Sequence, residues 1–433
     1  MSRIGRVAAV LGRSRAPSGN AGFQRLWIGN ALSETGAQIT TIAMPLLVLS
    51  LTGSAAQAGI VGGVIAIAAP LAALGGGVLV DRVDRRRLMI GCALGSFIAS
   101  MSVVLALALG DATLVQLLLV AAVDATLGAV AYVAERSLLA ELVPREQLPE
   151  AVTLNEARTA AAYVAGPPAG GALFGVARAL PFVADAASFL AVIGALAGLR
   201  TPARPINRSP VAGGLRALRS ELREGFQWLW RQPFLRAGSL LYAALNVSLR
   251  AVELLALLIM RRHGASPAAI GGAYAIVGAG GLVGAAIAGP LRRRVTVRWG
   301  ILAEPWSYAL LSPLLLVLHT PATVGPLLAV MLLPLTLSSS IVVGTRLALA
   351  PDHLRGRVQA SSSFLAGSVS WLGPLLMGLL AQYASEDLAV IALTGICLAT
   401  AVLATVTRAF REQPASSAPT APSSPPRNPS SAP

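Results

Sequence analysis

Gly77-Val78-Leu79-Val80-Asp81-Arg82-Val83-Asp84-Arg85-Arg86-Arg87 breaks two long apolar runs with charge: five of the six residues from Arg82 to Arg87 are charged, four of them positive. Charge is not tolerated in hydrocarbon, so the stretch reads as a tight loop between two membrane helices that returns to water on one side. Arginine close to a helix end is retained on the cytoplasmic side of a membrane, so the same loop orients its neighbours.

Working outward, the 433 residues are 55% hydrophobic and only 12% charged, against roughly 25% charged for a soluble domain. A soluble fold would need several continuous apolar helices without polar faces, so the composition excludes it. The net charge of +15 comes from 34 basic residues, all arginine, most of which flank apolar segments. That distribution fits membrane topology and excludes a nucleic-acid patch interleaved with aromatics. Cys92 and Cys397 fall inside apolar runs, and His263, His319 and His353 have no ligand spacing between them, so neither a disulfide nor a metal is expected. No Gly-x-x-x-x-Gly-Lys-Ser/Thr loop is present, so ATP is not the expected energy source.

A spanning helix needs about 20 apolar residues. Segments of that kind run Leu26–Leu51, Ala58–Val80, Leu88–Leu109, Thr113–Leu139, Ala151–Val176 and Pro181–Leu199, then Ala237–Met260, Ala268–Leu291, Trp299–Leu318, Val324–Leu349, Val358–Tyr383 and Leu388–Val406. The expected fold is therefore all-α, twelve transmembrane helices in two halves of six. Domain limits follow: a cytoplasmic tail 1–22, a bundle 23–199, a cytoplasmic linker 200–236, a second bundle 237–410 and a Pro/Ser/Ala tail 411–433 expected to be disordered. If the twelve spans alternate, the arginines of the first tail, the opening loop, the linker, Arg292 to Arg298, Arg355, Arg357, Arg408 and Arg411 share one side. Both termini are thus expected in the cytoplasm of a multi-pass plasma-membrane protein.

Within the linker, Leu215, Leu218, Leu222, Phe226 and Leu229 recur at helical spacing opposite arginines. Such a helix suits two placements, on the inner membrane surface or packed on the protein itself. The second half also echoes the first. Gly289-Pro290-Leu291 before Arg292-Arg293-Arg294 lies where Gly77-Val78-Leu79 precedes its own charges, and Gly373-Pro374 in the eleventh span parallels Gly166-Pro167 in the fifth. Duplicated six-helix units are a transporter architecture, with the path between them.

Two motifs carry a family resemblance. Gly77-x-Leu79-x-Asp81-Arg82-x-x-Arg85-Arg86 resembles the loop between helices 2 and 3 of major facilitator transporters, departing from it at Asp84, where the family usually has glycine. Gly166-Pro167-Pro168-Ala169-Gly170-Gly171 resembles the Gly-Pro-x-x-Gly-Gly element of that superfamily's drug exporters. Phe23 to Trp27, Leu142 to Leu148, Leu180 to Phe189 and Pro351 to Val358 resemble an enterobactin- and macrolide-exporter subgroup. The resemblance implies the twelve-helix major facilitator fold and export by proton antiport, with no cofactor beyond the proton gradient. It also implies that Asp81 joins a charge network near the ends of helices 4 and 11, for which Arg136 is the proposed partner and Arg85 a loop neighbour.

Acidic residues at membrane depth usually face a cavity or a partner. Glu34, about ten residues into the first span beside Asn30, Ser33 and Gln38, is the first candidate for proton coupling, followed by Asp124 and Glu304. Glu253 stands three residues after Arg250 and is expected to pair with it. Asp185 is expected to cap or hydrogen-bond. Gln38, Tyr242 and Asn246 are candidates for the wall of a substrate cavity between the halves. The expected partners are a small, largely hydrophobic molecule and the bilayer, with no nucleic acid and a monomeric chain. An importer or uniporter of the same fold, or a transporter-like sensor or scaffold, are the alternatives. An enzyme is not expected, since the spans hold no Ser/His/Asp set or paired-His spacing.

Overall fold

The computed structural model describes residues 20–199, 215–351 and 354–411, less the side chains of Val78, Asp81, 215–219, Glu221 and Leu222. The first tail up to residue 19, most of the Pro-rich end and the linker's opening therefore lie outside the described residues. Among the described residues all the elements are helical. They are α1 (Ala21–Thr52), α2 (Ala55–Arg82), α3 (Arg85–Leu109), α4 (Leu114–Leu142), α5 (Leu148–Val176), α6 (Leu180–Ala197), α7 (Leu215–Arg231), α8 (Pro233–Arg262), α9 (Pro267–Arg292), α10 (Val297–Leu311), α11 (Pro321–Leu332), α12 (Leu335–Leu349), α13 (Arg355–Ser368), α14 (Leu372–Tyr383) and α15 (Glu386–Val406). Leaving α7 aside, these form twelve segments in series, α11 with α12 and α13 with α14 each counting as a broken pair; among the described residues ten of the twelve are long and apolar enough to cross a membrane, α5 and α10 being the other two.

The breaks have local causes. Pro334 has no N–H to donate at the α11–α12 joint. At the α13–α14 joint the Ser370 hydroxyl bonds the Gly367 carbonyl at 2.7 Å and reaches across to the Ala66 carbonyl at 3.3 Å. The ninth span ends its α-helix at Leu311 and continues as a 3-10 turn, Ser312–Leu316. Each of these three spans is expected from sequence as one continuous helix, because apolar length is blind to a local loss of backbone bonding.

Asn20 starts α1, its side-chain oxygen accepting from the N–H groups of Gly22 and Phe23 while its Nδ2 donates to the Leu142 carbonyl at the end of α4. Asp84 caps α3 by accepting from the Arg87 N–H at 2.8 Å. That bond accounts for an aspartate where the related loops carry glycine. Gly53 and Gly110 close α1 and α3 with φ of 64° and 80°, a region other residues resist.

Packing repeats between the halves. In the first, α1 packs on α5 and α6, α4 on α2 and α3, and α3 on α6. The second repeats each pair six spans on: α8 on α14 and α15, α9 on α11 and α12, α10 on α12 and α15. The halves join where α5 meets α9 and where α2 meets α13 and α14. A twofold that carries each span to its counterpart exchanges those two seams. Large apolar side chains such as Ile98, Leu119, Leu310 and Leu403 face outward, each more than half exposed, as a lipid-facing belt requires.

Helix α7 packs on α13. Its Gly225 lies against the Arg357 carbonyl, Glu224 pairs with Arg357, and Leu229 is fully buried. Of the two placements the sequence allows, this is the one on the protein itself, with the stacked Phe226 and Trp230 rings, 5.0 Å apart, left on its outer side.

Candidate transport site

The glycines of the fifth span divide their work. A Cβ on Gly166 would stand 2.2 Å from Gln38 Cβ and one on Gly170 2.5 Å from the Ile39 carbonyl, so both clamp α5 to α1 within the first half. Gly171 instead faces the other half, 2.2 Å from the Pro267 carbonyl at the head of α9, and Gly271 answers with 2.4 Å to the Pro167 carbonyl. The eleventh span repeats this: Gly373 lies against Val247 of α8 within the second half, and Gly378 lies against Ala55 and Gly59 of α2 at the second seam. Both seams therefore close at the ends remote from the arginines, where the Ala55 N–H also donates to Gln382 Oε1 at 2.8 Å. Gly75, Gly77 and Gly289, towards the arginine-rich ends, have open space beside them. The close glycine contacts between the halves thus gather towards the arginine-poor ends.

Within the first half, α1, α4 and α5 bring together Glu34, Glu135 and Arg158. Arg158 donates from Nε to Glu34 Oε2 at 3.3 Å and from Nη1 to Glu135 Oε1 at 2.8 Å, and the Thr159 hydroxyl adds a bond to Glu34 Oε2 at 3.1 Å. Arg158 and Glu135 are buried, while Glu34 keeps some exposure. Sequence reading singled out Glu34 but missed Arg158, although an arginine well inside the Ala151–Val176 run was a signal of a buried partner. The cluster holds one cation between two carboxylates, so a single proton on Glu34 changes it from net negative to neutral. Gln38, one turn along α1, lies beside the Tyr163 hydroxyl of α5.

The other candidates fall elsewhere. Asp124 of α4 has Ser96 beside it and Asp185 of α6 nearby. Asp185 is buried, accepting from the Ser100 hydroxyl at 2.8 Å with Oδ2, so α3 serves both carboxylates from one face. Asn246 spends its amide N–H on the Tyr242 carbonyl of its own helix. Arg250 and Glu253 pair at 2.8 Å, as their spacing suggests. Glu304 and Tyr242 lie inside the second half, away from the Arg158 cluster.

At the loop, Arg85 bonds the Ser137 carbonyl and pairs with Glu141 on α4, and Arg86 donates to the Leu196 and Ala197 carbonyls at the end of α6. Arg86 thereby supplies a donor to the Ala197 carbonyl at the very end of α6, where the helix itself offers none. Arg136 is found on Glu156 of α5, at 3.2 Å, with its guanidinium over the Tyr132 ring. The expected Asp81 pairing involves a side chain outside the described residues. Arg82 is exposed at the mouth of an apolar groove of about 400 Å³ between α2 and α4, lined also by Leu79, Thr126 and Val130.

His263, His319 and Glu386, from three separate segments, bring ligand atoms within 4.8 Å of one another. The two rings stack at 4.1 Å and 5°. Ring lone pairs lie in the ring planes, so two parallel rings cannot aim at one ion. One ring nitrogen of each lies at hydrogen-bond distance from a carbonyl of its own segment, Ile259 or Leu316. The sequence spacing gave no hint of this meeting.

Residues 26–373 match the family described as Major Facilitator Superfamily. The chain belongs to that superfamily. Among relatives of this superfamily member is the "Multidrug efflux pump Tap" of Mycobacterium tuberculosis (strain ATCC 25618 / H37Rv), 29% identical over 396 residues, covering 88% of this chain and 92% of the relative. Among solved structures, the nucleoside transporter NupG aligns with a TM-score of 0.70 at 12% identity, covering 90% of this chain and 100% of that one. A bacterial homologue of the iron transporter ferroportin in its inward-facing state gives 0.69 at 19% identity, covering 90% and 98%. At those identities the structures speak to the major facilitator fold alone.

Proposed function

We propose that this major facilitator transporter exports a small, largely hydrophobic compound by proton antiport and alternating access, with the Glu34–Arg158–Glu135 cluster as the exchange point. The arginine-rich face is taken as cytoplasmic on the positive-inside rule, so the glycine contacts that close both seams lie towards the outer face. The carrying observation is the cluster itself: a partly exposed carboxyl, held by a buried arginine that a second carboxylate already neutralises, at the depth of the membrane spans. Deprotonated, the cluster carries one excess negative charge and attracts a cationic or polarised substrate. Protonated, it is neutral and releases it. Competition between proton and substrate for one carboxyl, with exposure alternating between the two faces, is sufficient for antiport. The efflux-pump name carried by the mycobacterial relative supports the outward direction.

The test is ethidium accumulation in inside-out vesicles under an imposed pH gradient. Glu34→Gln, which keeps the shape and removes the titrating group, should lower gradient-driven accumulation by at least about tenfold per imposed pH unit while leaving downhill exchange. Full pH-driven uptake by that variant would remove Glu34 from the exchange point and move it to Asp124.

A further inference from the structure

The second half encloses a group of polar atoms that the Arg158 cluster does not use. Glu304 of α10 is 1% exposed, and its Oε2 has no hydrogen-bond partner. The hydroxyls of Tyr242 on α8, Tyr308 on α10 and Ser338 on α12 are likewise buried and make no hydrogen bond of ordinary geometry. These atoms neighbour one another. Ser338 comes within looser bonding reach of both the Glu304 carboxyl and the Tyr242 hydroxyl, Ser339 also approaches Tyr242, and Glu304 acts electrostatically on both tyrosines. The backbone agrees, since Gly300, one turn before Glu304, faces Leu337 and Ile341, the residues flanking Ser338 on α12.

Buried polar atoms are nearly always hydrogen-bonded, and four groups engaged loosely or not at all in one place invite water between them. Among the described residues no arginine or histidine forms an ion pair with Glu304. Arg346, further along α12, bonds Gln359 and keeps its Nε unpartnered, Glu253 of α8 is paired with Arg250, and Cys397 of α15 lies near Tyr308. A carboxylate isolated from cations at this depth is costly, whereas a carboxylic acid is not. Three loosely engaged hydroxyls can accept from that acid, or turn and donate to the carboxylate once its proton leaves.

We propose that Glu304, Tyr242, Tyr308 and Ser338 wall a hydrated chamber in the second half, where Glu304 carries a second exchangeable proton beyond that of the Glu34 cluster. In the step, the Glu304 O–H bond breaks, its proton passes to chamber water and out past the Tyr242 hydroxyl, and the anion is held by the three hydroxyls. The reverse transfer restores the acid from the opposite side of the membrane. The second proton's coupling rests on the antiport reading; the chamber's chemistry does not.

Infrared spectroscopy on the purified full-length protein tests the chamber directly. Wild type should give a carboxylic-acid C=O band that Glu304→Gln removes and that shifts on transfer to D2O. Absence of such a band from the wild-type minus Glu304→Gln difference spectrum, in which any band of Asp124 and Asp185 cancels, or a difference band that never shifts in D2O, overturns the chamber. Ethidium transport in proteoliposomes tests the coupling. With an imposed gradient of about one pH unit, losing one coupled proton lowers the accumulation limit about tenfold. Glu304→Gln should show that drop with downhill exchange intact, and Tyr242→Phe, which keeps the ring, should slow the approach to the limit. An unchanged limit in a folded Glu304→Gln overturns the second proton. Loss of gradient drive in Glu304→Gln together with its retention in Glu34→Gln sinks the Glu34 assignment and leaves the chamber standing.

Discussion

Arg158 concentrates the energetics of the first half in one side chain. Removing a buried partner of two carboxylates leaves uncompensated charge, and breaking such pairs costs about 3–5 kcal/mol. Arg158→Ala should therefore lower the thermal midpoint of the purified protein markedly, whereas Glu34→Gln, which leaves Arg158 on Glu135, should change it little. Equal midpoints for wild type and Arg158→Ala would mean that the cluster is not a structural pair. The residue scale is also where the sequence is hardest to read. Glu34 is conspicuous because acids are rare at membrane depth. Arg158, although well inside its span, has its two partners on other helices, α1 and α4, which only tertiary packing brings to it. Asp185 is legible as a hydrogen-bonding group, but its partner Ser100 depends on how α3 and α6 face each other.

Helices were legible where one physical rule decides them and opaque where two compete. Apolar length locates all twelve segments, and the Asp84 cap supplies a clean test of a local rule. An N-cap aspartate replaced by alanine costs about 1 kcal/mol, but by glycine only a few tenths. Asp84→Ala should thus lower the thermal midpoint measurably while Asp84→Gly stays near wild type; equal losses from both would mean that the Asp84 side chain does more than cap α3. The glycine motif of α5 was legible as close packing but not as two different joints. Gly166 and Gly170 pack within a half, while Gly171 sits on the seam. Alanine at Gly171 meets a backbone carbonyl, which cannot swing aside as a side chain would, at a strain of about 1–3 kcal/mol. That strain falls only on the conformation in which α5 and α9 touch. Gly171→Ala should therefore yield folded protein shifted towards the conformation open on the arginine-poor face. Greater labelling of cysteines introduced near the α5–α9 seam would report it, and unchanged labelling would exclude the seam as a conformational determinant.

At the scale of the whole molecule, the two seams are one joint used twice. Gly171 against Pro267 and Gly378 against Ala55 both press a glycine onto the first residue of the partner helix, and Gly166 and Gly373 both fix the motif-bearing span to the first span of its own half. The sequence echo between Gly166-Pro167 and Gly373-Pro374 is thus the imprint of this joint. A transporter that rocks about its middle must open both seams together to expose its cavity on the other face. Covalently holding either one should stop the cycle without unfolding anything. Cysteines at Ala55 and Gln382, whose wild-type residues are joined by a 2.8 Å bond, are suited to a short bifunctional thiol reagent. Cys92 and Cys397 are buried, and replacing both with alanine removes any background reaction. Cross-linking should abolish ethidium transport, a cleavable linker should restore it on reduction, and each single-cysteine control should transport before and after treatment. Transport that continues at an undiminished rate in fully cross-linked protein would mean that this seam stays shut through the cycle, and rocking about the middle would have to be abandoned.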